Sequence, residues 1–335
     1  MLPSFPGDAA RSDLRSLSFS ELSALVSRLG ERPYRARQLY SWLHRKAAAS
    51  LDAMTDLPHA FRERLAAETR LATLAVDAVQ ESRDGTRKYR MRTQDGKFIE
   101  SVYMPDEAGP ESFDPEADED EVGPATRVRR TLCVSTQVGC AMGCGFCMTA
   151  TMGLVRNLSA GEICDQIYRV NADLHRLGVS GERPLTNLVY MGMGEPLHNY
   201  ENVMRSLELL LSEEGANFSQ LMPVDRKWNI AALIDAVRKF PSRQGRRVTF
   251  EYVLLRDVND SDEDAARLAA LLRDLPVKVN LIPYNENPGL GFGDPGAERV
   301  AAFRKALSAR GITAMVRKNR GRDIAAACGQ LAVQV

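Results

Sequence analysis

Segments typical of β-strands and of α-helices alternate along the chain from Arg130 onward. The strand segments lie at 130–135, 186–191, 247–255, 277–282 and 312–316. The helical segments lie at 160–177, 199–212, 228–240, 262–273 and 297–309. Ser159 and Glu162 form a capping box that begins the first of these helices. Because parallel neighbours need a long connection between them, this alternation predicts an α/β fold with a parallel sheet and crossover helices.

The residues before Arg130 follow other patterns. Leu22, Leu25, Val26 and Leu29 lie at i, i+3, i+4 and i+7, which is the stripe of an amphipathic helix. Further on, Asp95-Gly96 between two strand-like runs is a strong signal for a β-hairpin. We therefore divide the chain into a flexible tail at 1–20, an N-terminal helical domain at 21–75, a β-hairpin extension at 76–105, an acidic loop at 106–125 and a core at 126–335.

Composition narrows the class of protein. Of the 335 residues, 44% are hydrophobic and 26% are charged, which is typical of a soluble globular protein. No apolar run is long enough to cross a bilayer and no signal-peptide pattern is present, so we expect a cytoplasmic protein that does not bind a membrane. The 44 basic and 44 acidic side chains cancel. Because a dense acidic run covers 106–121 while arginines cluster elsewhere, the neutral total is compatible with a basic surface for nucleic acid.

Three of the six cysteines are packed into eight residues, as Cys140-Ala141-Met142-Gly143-Cys144-Gly145-Phe146-Cys147. In a chain without a secretion signal, we expect metal binding or catalysis rather than structural disulfides. Cysteine thiolates hold iron–sulfur clusters, and three of them on a four-iron cluster leave one iron open to a small molecule. Structural zinc, the alternative, usually takes four ligands in paired C-x2-C spacing, and no second pair is present. The spacing therefore favours an iron–sulfur cluster.

Three further segments resemble a known family. They are Leu132-Cys133-Val134-Ser135-Thr136-Gln137-Val138-Gly139, Met191-Gly192-Met193-Gly194-Glu195-Pro196-Leu197 and Ala327-Cys328-Gly329-Gln330-Leu331. Together with the cysteine loop they are similar to segments of the RlmN/Cfr family of radical S-adenosylmethionine (SAM) RNA methyltransferases. The resemblance covers about Glu21 to Leu331. It implies a partial (β/α) radical SAM barrel, shortened relative to six units, with the active site at the carboxyl ends of the strands.

The resemblance also implies the cofactors. The three clustered cysteines match the ligands of one 4Fe–4S cluster, and two SAM molecules are used per turnover. Gly194 and Glu195 match the motif that binds the amino group of SAM. Asn285 matches a further SAM contact, although without the resemblance it would be interpreted as a turn residue.

Three catalytic residues follow from the same resemblance. Adenine C2 is too electron-poor to attack a methyl sulfonium, so Cys328 would accept a methyl group from one SAM, and a radical from a second SAM would activate it. Cys133 matches the cysteine that resolves the protein–RNA link through a disulfide with Cys328, and Glu100 matches the general base that removes the C2 proton. Without the resemblance, the two cysteines would be small core residues, and Glu100 would lie on the solvent face of a strand.

The implied partners are 23S ribosomal RNA, transfer RNA and an electron donor such as flavodoxin or ferredoxin, and the enzyme would be a monomer.

One departure from the family is large. After the helix that ends near Leu211, the chain runs through Phe218 directly into the helix at 228–240, where relatives carry roughly forty more residues, about two strands and a helix. We place this gap between Phe218 and Met222. Two alternatives therefore remain: a Cfr-like enzyme that methylates adenine C8, and a catalytically impaired iron–sulfur RNA-binding relative.

The cysteine spacing predicts the metal content of the protein. Protein purified without oxygen should be coloured and contain about four iron atoms per chain, because a cubane cluster holds four. Iron and zinc analysis of the chain and of Cys144→Ser tests this, and the variant should lose the iron. Cys164→Ala, which changes a cysteine outside the loop, is the matched control and should keep it. Colourless, iron-free protein from the unmodified chain would contradict the cluster.

Overall fold

A computed structural model describes residues 11–105, 129–179, 184–211, 230–239, 247–287, 289–317 and 320–333. The helices are α1 (Phe19–Arg28), α2 (Tyr34–His44), α3 (His59–Glu68), α4 (Met148–Thr151), α5 (Ala160–Arg176), α6 (Tyr200–Leu211), α7 (Ile230–Lys239), α8 (Asp262–Leu272) and α9 (Ala297–Ser308). The strands are β1 (Ser12–Asp13), β2 (Thr69–Arg70), β3 (Ala75–Glu81), β4 (Arg87–Arg92), β5 (Phe98–Pro105), β6 (Arg130–Cys133), β7 (Gln137–Gly139), β8 (Leu154–Asn157), β9 (Asn187–Val189), β10 (Val248–Leu254), β11 (Val277–Pro283) and β12 (Thr313–Val316). The prediction of an α/β fold is confirmed.

Two sheets organise the molecule. The larger has the strand order β3-β4-β5-β6-β9, in which the first four strands are antiparallel neighbours and β9 is parallel to β6. The smaller, β10-β11-β12, is entirely parallel. The crossover helices α5, α8 and α9 lie between paired parallel strands in the sequence, as such strands require. The capping box predicted at Ser159 and Glu162 begins α5.

Among the described residues the parallel strands do not close into a barrel. β9 and β10 lie in different sheets and do not pair with each other. The shortened barrel therefore stays a prediction, and the predicted gap between Phe218 and Met222, like the acidic loop at 106–125, lies outside the described residues. Within those same ranges no helix is both long enough and apolar enough to cross a membrane.

Two hydrophobic cores correspond to the two sheets. The first contains Leu22 of α1, Leu39 of α2, Ile99 of β5 and Ile163 of α5, all fully buried. The second lies between the smaller sheet and helices α8 and α9. Because α1 and α2 bury their apolar stripes in the same core as α5, packing holds the N-terminal helices against the larger sheet.

Part of the predicted tail at 1–20 is structured. β1 pairs in parallel with β2, and a 3-10 helix follows at Leu14–Ser16, in which Leu14 and Arg15 are fully buried. Arg15 forms an ion pair with Asp165 of α5, which is also fully buried, and donates to the carbonyl of Ala48 (2.6 Å). A buried charge needs a partner, and here the partner is 150 positions away along the chain. The tail prediction was therefore wrong for residues 12–20.

The Arg15–Asp165 pair makes a prediction about stability. Asp165→Asn leaves the buried guanidinium without its counter-charge and should lower the free energy of unfolding by about 3–5 kcal/mol. The matched control is Glu68→Gln, which breaks the exposed pair with Arg28 and should cost about 0–1 kcal/mol. Urea unfolding of the three proteins measures the difference. Equal losses in both variants would contradict a structural role for the buried pair.

Candidate active site

The cysteine loop is closed at its base by two strands that the sequence analysis did not predict. In the β7–β8 pair Gly139 lies opposite Leu154, and the amide of Cys140 donates to the carbonyl of Gly153 (3.0 Å). Gly139 has φ +74°, and a Cβ at this position would lie 1.8 Å from the same Gly153 oxygen. Only glycine fits there, because any side chain would prevent the two strands from pairing. Residues 140–153 are therefore held as one closed loop.

Cys140, Cys144 and Cys147 project from this loop as half-buried residues, and none of them forms a disulfide. The described part of the chain contains no group of three or more histidines, cysteines or carboxylates arranged as a finished metal site. The donor set nevertheless suits an iron–sulfur cluster, because all three ligands are thiols on one short loop. The three residues therefore fit a cluster in the type of their ligand atoms and in their positions on the loop.

Asn287, which the sequence analysis missed, joins the cysteine loop to the C-terminal segment. Its buried side-chain amide donates to the carbonyls of Phe146 (3.3 Å) and Gly329 (3.2 Å). The amide of Met148 donates to the same Gly329 carbonyl (2.9 Å). These bonds lay the segment that carries Cys328 against the loop. The sequence could have indicated Asn287, because this residue follows β11 at the carboxyl end of a parallel strand, where ligand-binding residues are common.

Cys133 and Cys328 line one small cavity, together with Val102, Met191 and Arg317. Burial raises the pKa of the Cys133 thiol to about 12, and the nearby Cys328 thiol adds to the rise, while Arg317 opposes it. Burial also raises the pKa of Cys328; Arg317 opposes this rise, and Cys147 of the cysteine loop adds to it. The two thiols are therefore neighbours next to the loop. They are not joined by a disulfide.

Glu100 lies on β5 and is only 4% exposed, so the interpretation as a solvent-facing strand residue is wrong. It shares a face of the strand with Val102, which lines the cavity of the two cysteines and lies opposite Cys133 in the sheet. Burial raises the pKa of the Glu100 carboxyl, while Lys88 and the backbone amide of Ala332 lower it. Glu100 therefore lies close to both the cysteine cavity and the C-terminal segment.

Gly194 and Glu195 form a turn after β9 that packs on β7. Gly194 has φ +95°, and a Cβ there would lie 2.5 Å from the side chain of Gln137. The amide of Glu195 donates to Gln137 Oε1 (2.9 Å), and the Glu195 carboxylate accepts from the amide of Leu197 (3.3 Å). The turn thus lies at the base of the cysteine loop, where only a glycine allows the close approach.

Asn285 is buried beyond the end of β11, but its side chain faces a protein partner. Its Oδ1 accepts from Nε of Arg322 (2.7 Å), and the same guanidinium pairs with Asp294 (2.7 Å). The sequence analysis did not predict that Asn285 pairs with this arginine, which follows β12 in the C-terminal segment. Of the predicted residues, the structure brings Cys133 and Cys328 into one cavity, places Glu100 on the neighbouring strand β5 and places Asn285 beside Arg322.

Cys164, for which the sequence suggested no role beyond core packing, is fully buried on α5. Its thiol lies 3.9 Å from the carbonyl of Ser206 on α6. Core packing is therefore confirmed for this cysteine.

Comparison with known proteins identifies the family. The model of the ribosomal RNA large subunit methyltransferase N-terminal domain matches residues 12–71. The dual-specificity RNA methyltransferase RlmN of Anaeromyxobacter dehalogenans (strain 2CP-C) is 52% identical to this chain, and the alignment covers 96% of this chain and 92% of that protein. The chain belongs to the RlmN family. RlmN 2 of Myxococcus xanthus (strain DK1622) is 50% identical over 98% of this chain and 92% of its own length.

A solved structure supports the α/β fold and the class of enzyme. The crystal structure of a radical SAM methyltransferase from Sphaerobacter thermophilus superimposes with a TM-score of 0.80. The two sequences are 40% identical, and the superposition covers 95% of this chain and 98% of the Sphaerobacter chain. The enzyme class predicted from the sequence, a radical SAM RNA methyltransferase, is therefore confirmed.

The alignment with the A. dehalogenans RlmN also measures the departure from the family. It extends over 362 positions, whereas 96% of the 335 residues here is about 322. About 40 aligned positions therefore have no counterpart in this chain. This agrees with the predicted absence of roughly forty residues.

Asn287 makes a prediction about metal retention. Asn287→Ala removes the bonds to Phe146 and Gly329 and should lower stability by about 1–3 kcal/mol. Because the loop then loses its attachment to the C-terminal segment, iron per chain after anaerobic reconstitution should fall as well. Asn171→Ala, which removes a hydrogen bond to the amide of Leu185, is the matched control and should keep its iron. Equal iron contents in the two variants would contradict the assignment.

Proposed function

We propose that this chain methylates C2 of adenosine in 23S ribosomal RNA and in transfer RNA through an S-methylcysteine intermediate on Cys328. The observation that carries the proposal is the position of Cys328, which lines a cavity with Cys133 and lies against the cysteine loop through the contacts of Gly329. A methyl-carrying cysteine must be close to the source of the radical and to the resolving thiol, and Cys328 lies against the cysteine loop and shares a cavity with Cys133.

The proposed cofactors are one 4Fe–4S cluster held by Cys140, Cys144 and Cys147, and SAM held by Gly194, Glu195 and Asn285. To contact SAM through its side-chain oxygen, Asn285 would have to exchange its hydrogen bond from Arg322. When bound, they supply one-electron cleavage of a sulfur–carbon bond of SAM, and two SAM molecules are consumed per turnover. The chain contributes an anchored loop for the cluster and, in the turn at Gly194-Glu195, a carboxylate suited to a cationic amino group.

The catalytic roles follow from the environments of three side chains. Cys328 acts as the nucleophile that accepts a methyl group; burial raises the pKa of its thiol, and the positive charge of Arg317 opposes this rise. Cys133 resolves the protein–RNA link by forming a disulfide with Cys328. Glu100, buried beside the same segment, accepts the proton from adenine C2.

The remaining parts of the proposal concern partners. The N-terminal helices contribute to RNA binding, an electron donor such as flavodoxin or ferredoxin supplies the electron, and the enzyme works as a monomer in the cytoplasm, where both RNAs are found. The second candidate is a catalytically impaired iron–sulfur RNA-binding relative. The roughly 40 unmatched positions favour it, because the resemblance implies that the family uses residues of the segment missing between Phe218 and Met222 to bind SAM.

The proposed roles of the two cysteines predict different results for their alanine variants. Cys328→Ala should abolish methyl transfer and keep its iron, because the methyl acceptor is lost while the cluster ligands remain. Cys133→Ala should accumulate a covalent protein–RNA adduct, because the resolving thiol is lost. Denaturing gels of RNA reactions and mass analysis of the nucleosides measure both. Free, fully methylated RNA from Cys133→Ala would remove Cys133 from the mechanism.

A related prediction separates the candidate functions. The unmodified chain should cleave SAM anaerobically and yield 2-methyladenosine from 23S RNA. Loss of SAM cleavage with a normal iron content would favour the impaired relative, and 8-methyladenosine would favour the Cfr-like enzyme. A version of the chain with the roughly forty absent residues restored is the matched control for the effect of the gap.

A further inference from the structure

Lys88 of β4 faces Glu100 from the neighbouring strand. Its Nζ lies 3.5 Å from Glu100 Oε1, and the two side chains are only 11% and 5% exposed. In the sheet Lys88 pairs with Val102 and Arg90 pairs with Glu100, so the contact is diagonal, within reach of a long side chain. A charge pair this well shielded from water interacts more strongly than an exposed pair.

The same ammonium group contacts the segment that carries Cys328. Lys88 Nζ donates to the carbonyl of Ala325 (3.4 Å), three residues before Cys328. Ala325 has φ +48°, a left-handed conformation that residues other than glycine adopt at a cost in energy. A fixed partner for its carbonyl stabilises this turn. One lysine therefore contacts both the proposed base and the turn that leads into the proposed nucleophile.

We propose that Lys88 is a positioning residue for the C2 proton transfer: it holds Oε1 of Glu100 and the Ala325 turn in fixed relation, and leaves Oε2 of Glu100 to accept the proton. Oε2 is buried, and it accepts no hydrogen bond from any described residue. The inference rests on the role of Glu100 proposed above. Lys88 does not itself contact the reacting carbon in this arrangement.

The charges around Glu100 also support a positioning role for Lys88. A base must be ionised to accept a proton, and burial works against ionisation of Glu100 by raising its pKa. The groups that face the carboxylate and lower its pKa are Lys88 and Arg90 from β4 and the backbone amide of Ala332 from the C-terminal segment. Removal of the Lys88 charge raises the pKa further, so the ionised fraction at neutral pH falls. The acidic limb of the pH–rate profile should then move to higher pH.

The test compares Lys88→Met and Lys88→Arg with the unmodified chain, all reconstituted with iron. Two readouts are followed: S-methylation of Cys328 by mass spectrometry, which does not need the base, and the pH dependence of RNA methylation. In Lys88→Met, Cys328 should be methylated normally, while RNA methylation at pH values on the acidic limb falls on the order of tenfold for each unit by which that limb moves upward. Lys88→Arg keeps the charge and should restore most of the original profile. Lys97→Met changes an exposed lysine of the same hairpin and is the matched control.

Two outcomes would overturn the inference. One is a pH profile of Lys88→Met that is lower at every pH but not displaced, which indicates a merely structural role. The other is loss of Cys328 methylation together with RNA methylation in both Lys88 variants. Glu100→Gln tests the underlying proposal separately. If that variant methylates RNA normally, Glu100 is not the base and the proposed mechanism fails, whatever the Lys88 variants show.

Discussion

Hydrogen bonds directed at backbone carbonyls hold the C-terminal segment against the cysteine loop, and the proposed chemistry depends on this contact. Asn287 joins Phe146 to Gly329, and Met148 reinforces the bond to Gly329. The side-chain hydroxyl of Thr149 donates to the carbonyl of Leu331 (2.5 Å). Because these contacts run through main-chain atoms, they set the path of the segment independently of the side chains that the segment carries. Cys328 is thereby brought to the loop and to Cys133.

The larger sheet supplies the other half of the site. β5 carries Glu100 and β6 carries Cys133, and the register that places Val102 opposite Cys133 sets the spacing between base and thiol. Lys88 on β4 extends the same surface toward Ala325. The C-terminal segment is attached to the turn between β3 and β4: the amide of Gly321 donates to Asp84 (3.0 Å), and the hydroxyl of Ser82 donates to Asp323 (2.5 Å). The hairpin is therefore part of the site.

Family membership and local geometry support different parts of the functional argument. Relatives at 50% and 52% identity over nearly the whole chain establish the enzyme class. The proposed mechanism rests on local geometry: Cys328 and Cys133 line one cavity, and the buried carboxylate of Glu100 lies on the neighbouring strand β5. The roughly 40 unmatched positions leave all three of these residues in the chain.

Local patterns in the sequence were sufficient for most helices and strands and for the position of the cysteine loop, but not for β7 and β8, which close that loop. Hydrophobic periodicity, the Ser159 capping box and the Asp95-Gly96 turn each depend on residues a few positions apart, and each appears where it was predicted. The burial of Arg15 against Asp165, the roles of Asn287 and Lys88, and the capture of Asn285 by Arg322 could not be predicted in this way. Each joins residues that are distant in sequence or on different elements. Such contacts arise only when the sheets and the C-terminal segment pack, because packing decides which buried charges and amides find partners.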